Sequence, residues 1–446
     1  MVWLLITAVG VSYGWGMRGT LIGHGKGAML PGAILGMCVA FLSGNALLAD
    51  NWPILAALGA AGMFFGGGMT YGQTIGLVIN EAPAPHFWRG VLGLSLKGFL
   101  WFGIAGAYLG MGTQAVFGGV YSAAECVVAA FMPVVLFPLG VRLFNRPHDA
   151  ERGIFPKPYF SKTRPECWGG YLLTFAGLCV FAAVKGDCFS LVWTAFAAAG
   201  GGAGWFVAIL FYYATHRPLK NGRYLLGAMQ KNGLIDNWKI MECTLGALGG
   251  LFTAAGFLVA QRDFGAFSQM RVCLSSRTAE LALAGAWLAL VVFDIWLEAS
   301  RFGDKYGDGA GQVIYGCVPL AFVMLGSTLA ASLCAGMLVL WVVVEKMCFE
   351  SLKDYRGIAL LTAVSVAATL AFGAAAFAGW NAPLWAYVAL YTAVYELLTL
   401  AKDFRPKKFA AVKEKGFART FGSVITVNLY FIAAIAVFCA LFFARV

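Results

Sequence analysis

The stretch Tyr13–Gly36, YGWGMRGTLIGHGKGAMLPGAILG, is apolar enough for a membrane interior, yet it holds glycine at 14, 16, 19, 23, 25 and 27 and the basic residues Arg18, His24 and Lys26. A glycine inside a helix costs about 0.5 to 1 kcal/mol relative to alanine, so the composition predicts irregular backbone here, not an ordinary helix. Such backbone is tolerated at membrane depth where it is packed in protein or lines a cavity, and a cavity lining is the expectation. Pro31 suits a first helical turn and places a helix start near Met29 or Leu30. The NH groups at that start, with Arg18, His24 and Lys26 close by, form an anion seat; the alternative is a tight cytoplasmic turn.

Outside this stretch the chain has the same character. Of 446 residues, 60% are hydrophobic and 12% charged, with a mean hydropathy of +0.77; a soluble domain carries about a quarter charged residues. Apolar runs of about 20 residues recur throughout, which predicts an all-α, Gly-rich polytopic integral membrane protein forming one transmembrane domain over 1–446. Spans are expected near 2–14, 30–49, 53–79, 90–112, 118–142, 169–185, 188–213, 239–260, 278–298, 312–332, 334–347, 357–379, 382–401 and 423–444, so the helix count is about 12 to 14. Val2–Val11 lacks the basic flank of a signal peptide and reads as a first span or half-span.

Lys and Arg gather in alternate loops, 143–168, 214–238, 299–311 and 402–422, which the positive-inside rule places in the cytoplasm. Asp50–Trp52, Thr113–Phe117, Gly186–Asp187 and Gly379–Asn381 hold no Lys or Arg and face outward. Gln261–Arg277 breaks the pattern, falling outside with Arg262, Arg271 and Arg277. The net charge of +11 is therefore a membrane-topology signal, not a nucleic-acid one. The eleven cysteines form no CxxC pair and read as small buried hydrophobes, and His24, His86, His148 and His216 stand singly, so no metal site or other cofactor is expected.

Two pairs of spans look alike. Segment 53–112 and segment 188–260 each carry a Gly triplet in mid-span, then a cytoplasmic turn, then a Trp with a basic neighbour opening a Gly-punctuated helix, as in a weak parallel repeat. Shared small-residue packing is the alternative.

Charged groups within apolar runs carry the functional signal, because each costs about 2.5 kcal/mol or more at the bilayer centre and needs a partner or a wet cavity. These are Arg18, Lys97, Glu125, Glu242, Asp294 and Glu396, the last lying within reach of Lys402 at a span end. Asp294 and Glu298, four apart, share one helix face, either as a proton or sodium site or as an interfacial network with Arg301 and Lys305. Tyr71 and Gln73 follow the first Gly triplet and suit a polar cavity that stacks and hydrogen-bonds a sugar-like solute.

The loop after Glu298, SRFGDKYGDGAGQ, contains DKYGDG, which resembles the loop signature of the major facilitator superfamily. Ser300 stands at its leading Gly position, Asp308 and Gly309 replace its terminal basic residues, and the loop NEAPAPHFWR at 80–89 lacks it. The resemblance covers about a dozen residues and implies twelve spans once the first and last segments are set aside. GHGKGA at 23–28 lacks the Ser or Thr of a Walker loop and the strand of a dinucleotide fingerprint, and no GxSxG or HExxH is present.

The sequence thus predicts a secondary transporter of the cytoplasmic (inner) membrane, moving a small polar or anionic solute with H+ or Na+. Arg18, His24, Lys26, Tyr71, Gln73 and Lys97 would meet substrate, and Asp294, Glu298, Glu125 and Glu242 would take the coupling ion. Two alternatives stand beside it: a membrane enzyme using these carboxylates as acid or base on a lipid-linked or glycosyl substrate, and a non-catalytic membrane subunit. The expected partners are the lipid bilayer, the solute and the coupling ion.

Overall fold

The computed structural model describes residues 2–21, 24–69, 71–80, 86–156, 158–161, 163–219, 221–223, 225–227, 237–265, 267–274, 276–300, 302, 309–334 and 406–416, with single positions 420, 429 and 433. Glu396, the DKYGDG loop up to Asp308 and the spans expected beyond 334, apart from those single positions, lie outside them.

Helices dominate: α1 (Val2–Leu21), α2 (His24–Leu42), the short α3 (Ala46–Asp50), α4 (Trp52–Gly66), α5 (Gly72–Ile79), α6 (His86–Thr113), α7 (Ala123–Phe144), α8 (Trp168–Val184), α9 (Cys188–His216), α10 (Asn237–Phe264) and α11 (Arg277–Ala299). A helix Gly309–Met324, α12, and α13 (Pro406–Lys415), inside the basic loop 402–422, follow, with further helical residues at 328–334. Among the described residues, six helices are long and apolar enough to cross a bilayer, and α4, α8 and α12 are shorter apolar helices. This is the architecture of an all-α multi-pass membrane protein.

The glycine-rich stretch is helical, contrary to expectation, on both sides of the undescribed pair 22–23. The start expected at Met29 is also corrected, since α2 begins at His24 and contains Pro31. At Gly14, Gly25, Gly32 and Gly36 the cost of glycine is offset by close approach. A Cβ on Gly32 would sit 2.1 Å from the Gly59 carbonyl oxygen of α4, so only glycine lets α2 and α4 touch backbone to backbone. The same device joins α6 to α9, where a Cβ on Gly98 would lie 2.3 Å from the Gly201 oxygen. Glycine here is a packing residue, which is why a run of it survives inside helices.

The loops sort to two ends. At one, Phe87 of α6 packs on Tyr213 of α9 with ring centroids 4.8 Å apart, and Gln73 of α5 bonds Thr163 of the long α7–α8 loop at 3.0 Å. This end carries the basic loops 143–168 and 214–238. At the other, Asn45 donates to the Phe267 carbonyl, Gln261 to that of Ser43, and the Arg271 amide to Val116. The described residues of the loop 265–276 therefore share an end with 43–45 and 116–121. At its flanks Arg262 pairs with Asp263 and Arg277 with Glu280, each at 2.7 Å, and within it the Arg271 guanidinium donates to the Tyr121 carbonyl at 3.0 Å.

Two expected span boundaries are corrected. Thr113–Phe117 is no loop: α6 continues through it into a π turn, Gln114–Gly118, buried to Phe117. The span 53–79 is broken, α4 ending at Gly66 and α5 restarting at Gly72. The second Gly triplet, 200–202, stays inside the unbroken α9.

Candidate functional site

The break between α4 and α5 organises the interior. Trp101, near the middle of the 33-residue run of α6 with its π turn, lies flat on Gly66, where a Cβ would come within 2.1 Å of its ring. Its indole N–H donates to the Met63 carbonyl at 2.7 Å. That carbonyl would otherwise accept the Gly67 amide, which turns instead to Phe64 at 3.1 Å. Three successive glycines offer little resistance, and the helix unwinds.

Arg18 of α1 lies against this break, fully buried. Its guanidinium carbon is 4.6 Å from the Trp101 ring centroid, 4.8 Å from that of Trp15 and 5.4 Å from that of Tyr71. A weakly hydrated planar cation over ring faces is the geometry in which cation–π attraction offsets burial. The rings continue: Tyr71 is 5.6 Å from Trp205 and 6.4 Å from Trp238, and Trp238 is 6.1 Å from Tyr212. On α10, buried Glu242 accepts from Lys239 at 2.7 Å and from the Trp238 indole at 3.1 Å, and Lys239 also donates to the Gly16 carbonyl at 2.9 Å. Arg18 lies within electrostatic reach of Glu242. Tyr71 is half-buried, and Gly68 and Gly72 beside it are exposed, so this cage has a surface on one side.

A second buried group adjoins the first. Lys97, one turn before Trp101 on the same face of α6, lies 3.1 and 3.0 Å from the two oxygens of Glu166 and donates to the Thr74 hydroxyl at 2.8 Å. Lys97 and Glu166 are each 1% exposed. Ser161 also bonds Glu166. In the same loop, burial and the nearby Glu166 carboxylate push the Tyr159 phenol up to about 12. A third pair, Lys26 with Asp294 at 3.4 Å, sits with Lys26 5.0 Å from the Tyr315 ring in the π turn Gln312–Cys317 of α12.

The structure therefore gathers Arg18, Tyr71 and Glu242 in one cage, puts Gln73 and Lys97 beside it, and pairs Lys26 with Asp294. Glu125 is the exception and a correction. It is not an intramembrane carboxylate: it caps α7 in a reciprocal box with Ser122 and pairs with Lys185 at 2.9 Å at the outward-loop end. His24 and Glu298 lie in helices, and their side chains are outside the described residues. Glu166 escaped the sequence reading because, between Pro165 and Cys167, it looks like any solvated loop acid. Trp15 and Arg18 at i,i+3 and Lys97 and Trp101 at i,i+4 were the available signals for the cage.

No family model, curated protein or solved structure matches this chain. Among the described residues no cluster of His, Cys, Asp or Glu has the arrangement of a metal site. Function rests on the geometry alone.

Proposed function

We propose that the chain is a secondary transporter that moves a small polar or anionic solute, sugar-like or an organic anion, across the cytoplasmic membrane by alternating access, coupled to H+ or Na+. The observation that carries this reading is the placement of buried Arg18 between Trp15, Tyr71 and Trp101, against a broken helix halfway along the bundle and within reach of buried Glu242.

Discontinuous helices of this kind hold substrate in many transporters, because their unwound backbone and half-helix termini offer polar groups at membrane depth. Here the amino terminus of α5, which no side chain caps, opens beside Tyr71. The guanidinium supplies planar donors for a carboxylate or hydroxyl pair, and the rings supply stacking surface for the apolar face of the solute. Glu242 with Lys239, and Asp294 with Lys26, are the carboxylates whose protonation or ion binding would couple to that event. The basic end faces the cytoplasm in this scheme.

Uptake of labelled sugars and organic anions into proteoliposomes, with and without a pH or sodium gradient, tests the reading. Accumulation should follow one gradient and fall at least about thirtyfold in Arg18→Ala, equivalent to about 2 kcal/mol of lost binding. Arg18→Lys should not rescue it, since the planar fork and its stacking are lost. No accumulation of any solute, with chemical conversion of an added lipid-linked sugar, would replace the transporter with a membrane enzyme.

A further inference from the structure

The loop 145–167 does more than connect α7 to α8. Tyr159, Phe160, Ser161 and Glu166 are buried, although loops normally run over the surface. The Phe160 ring lies on Gly93 of α6, where a Cβ would come within 2.5 Å of it. Polar tethers run from this loop to α5, to the helix break and to α6. Gln73 donates to the Thr163 hydroxyl at 3.0 Å and accepts from the amides of Thr163 at 3.2 Å and Arg164 at 3.3 Å. The Cys167 thiol points at the Gly68 carbonyl at 3.6 Å, and Lys97 joins Glu166 to Thr74. Tyr71, which roofs Arg18, sits in the same six-residue interval between Gly68 and Thr74.

We infer that the segment formed by Tyr159–Ser161 and Thr163–Cys167 is the gate of the Arg18 cage at the basic end, and that the Lys97–Glu166 ion pair is its latch. The inference rests on the transport reading and adds the moving part to it. A buried ion pair contributes little net stability over an apolar pair of the same shape, but losing one partner strands a charge. Such a pair is suited to holding a loop in one of two positions. The tethers through Gln73 are exposed, and the seated position depends on them, on the Phe160 contact and on the latch together. When the pair opens, the loop and α5 separate from α6, and Tyr71 lifts from Arg18.

Native Cys167 reports this motion without any substrate. In protein held in lipid nanodiscs, labelling of Cys167 by a maleimide, read by mass spectrometry, should rise about tenfold or more in Glu166→Gln and Lys97→Met. Cys126, buried at the other end, serves as the folding control and should stay unlabelled. Unchanged Cys167 labelling in both variants overturns the gate. If either variant also exposes Cys126, Gln73→Ala decides: it removes the exposed tethers and strands no buried charge, so a rise at Cys167 alone supports the gate and no rise overturns it. Joining Q73C to T163C with a short bismaleimide should then reduce uptake about tenfold. Failed labelling leaves the transport reading standing, whereas failed wild-type uptake leaves the labelling result intact, so the two failures are distinguishable.

Discussion

Glu166 and Glu125 show what burial does to one residue type. Glu125, in the first turn of α7, completes a cap and a part-exposed pair with Lys185, whereas Glu166, near the end of a loop, is 1% exposed against an equally buried lysine. Breaking a buried pair by removing one partner costs about 3 to 5 kcal/mol, because the remaining charge stays desolvated. Glu166→Ala should therefore lower thermal stability sharply in detergent, while the double change Lys97→Met with Glu166→Leu should recover most of it. A double variant as unstable as the single one would show that Lys97 and Glu166 do not act as a pair. Arg18 solves the same desolvation problem differently, with three ring faces around its guanidinium.

At the scale of elements, glycine decides which helices touch. Gly32 and Gly285 are both mid-helix, and local propensity treats them alike. A Cβ at Gly32 meets the Gly59 carbonyl at 2.1 Å, and one at Gly285 meets nothing within 4 Å. Gly32→Leu should force α2 off α4 and abolish a monodisperse peak in size-exclusion chromatography. Gly285→Ala should leave the protein intact and raise its stability by about 0.5 to 1 kcal/mol. The α4–α5 break follows the same logic in reverse: three glycines permit unwinding, and the Trp101 indole, by taking the Met63 carbonyl, provides a reason for it.

At the scale of the whole molecule, hydrogen bonds tie 43–45, 116–121 and 265–271 together at one end, and the basic loops collect at the other. A membrane-impermeant thiol reagent applied to intact cells should modify S268C, and should reach N221C only after the cells are opened. Modification of both from outside would sink the topology.

Hydropathy is a sum over neighbouring residues, so the sequence by itself determined the all-helical multi-pass class and, among the described residues, the approximate positions of most helices. It also singled out Arg18, Tyr71, Glu242, Lys97 and Asp294, because an ionisable or polar group in an apolar run stands out locally. Which of these meet was decided only by tertiary structure. Lys97 finds Glu166, 69 positions away, Lys239 reaches the Gly16 carbonyl 223 positions away, and Glu125 leaves the set. The Tyr13–Gly36 stretch marks the same boundary: its composition reads as broken backbone because propensity counts the cost of each glycine, and it folds as helix because at Gly14, Gly25, Gly32 and Gly36 that cost is offset by close approach between packed helices.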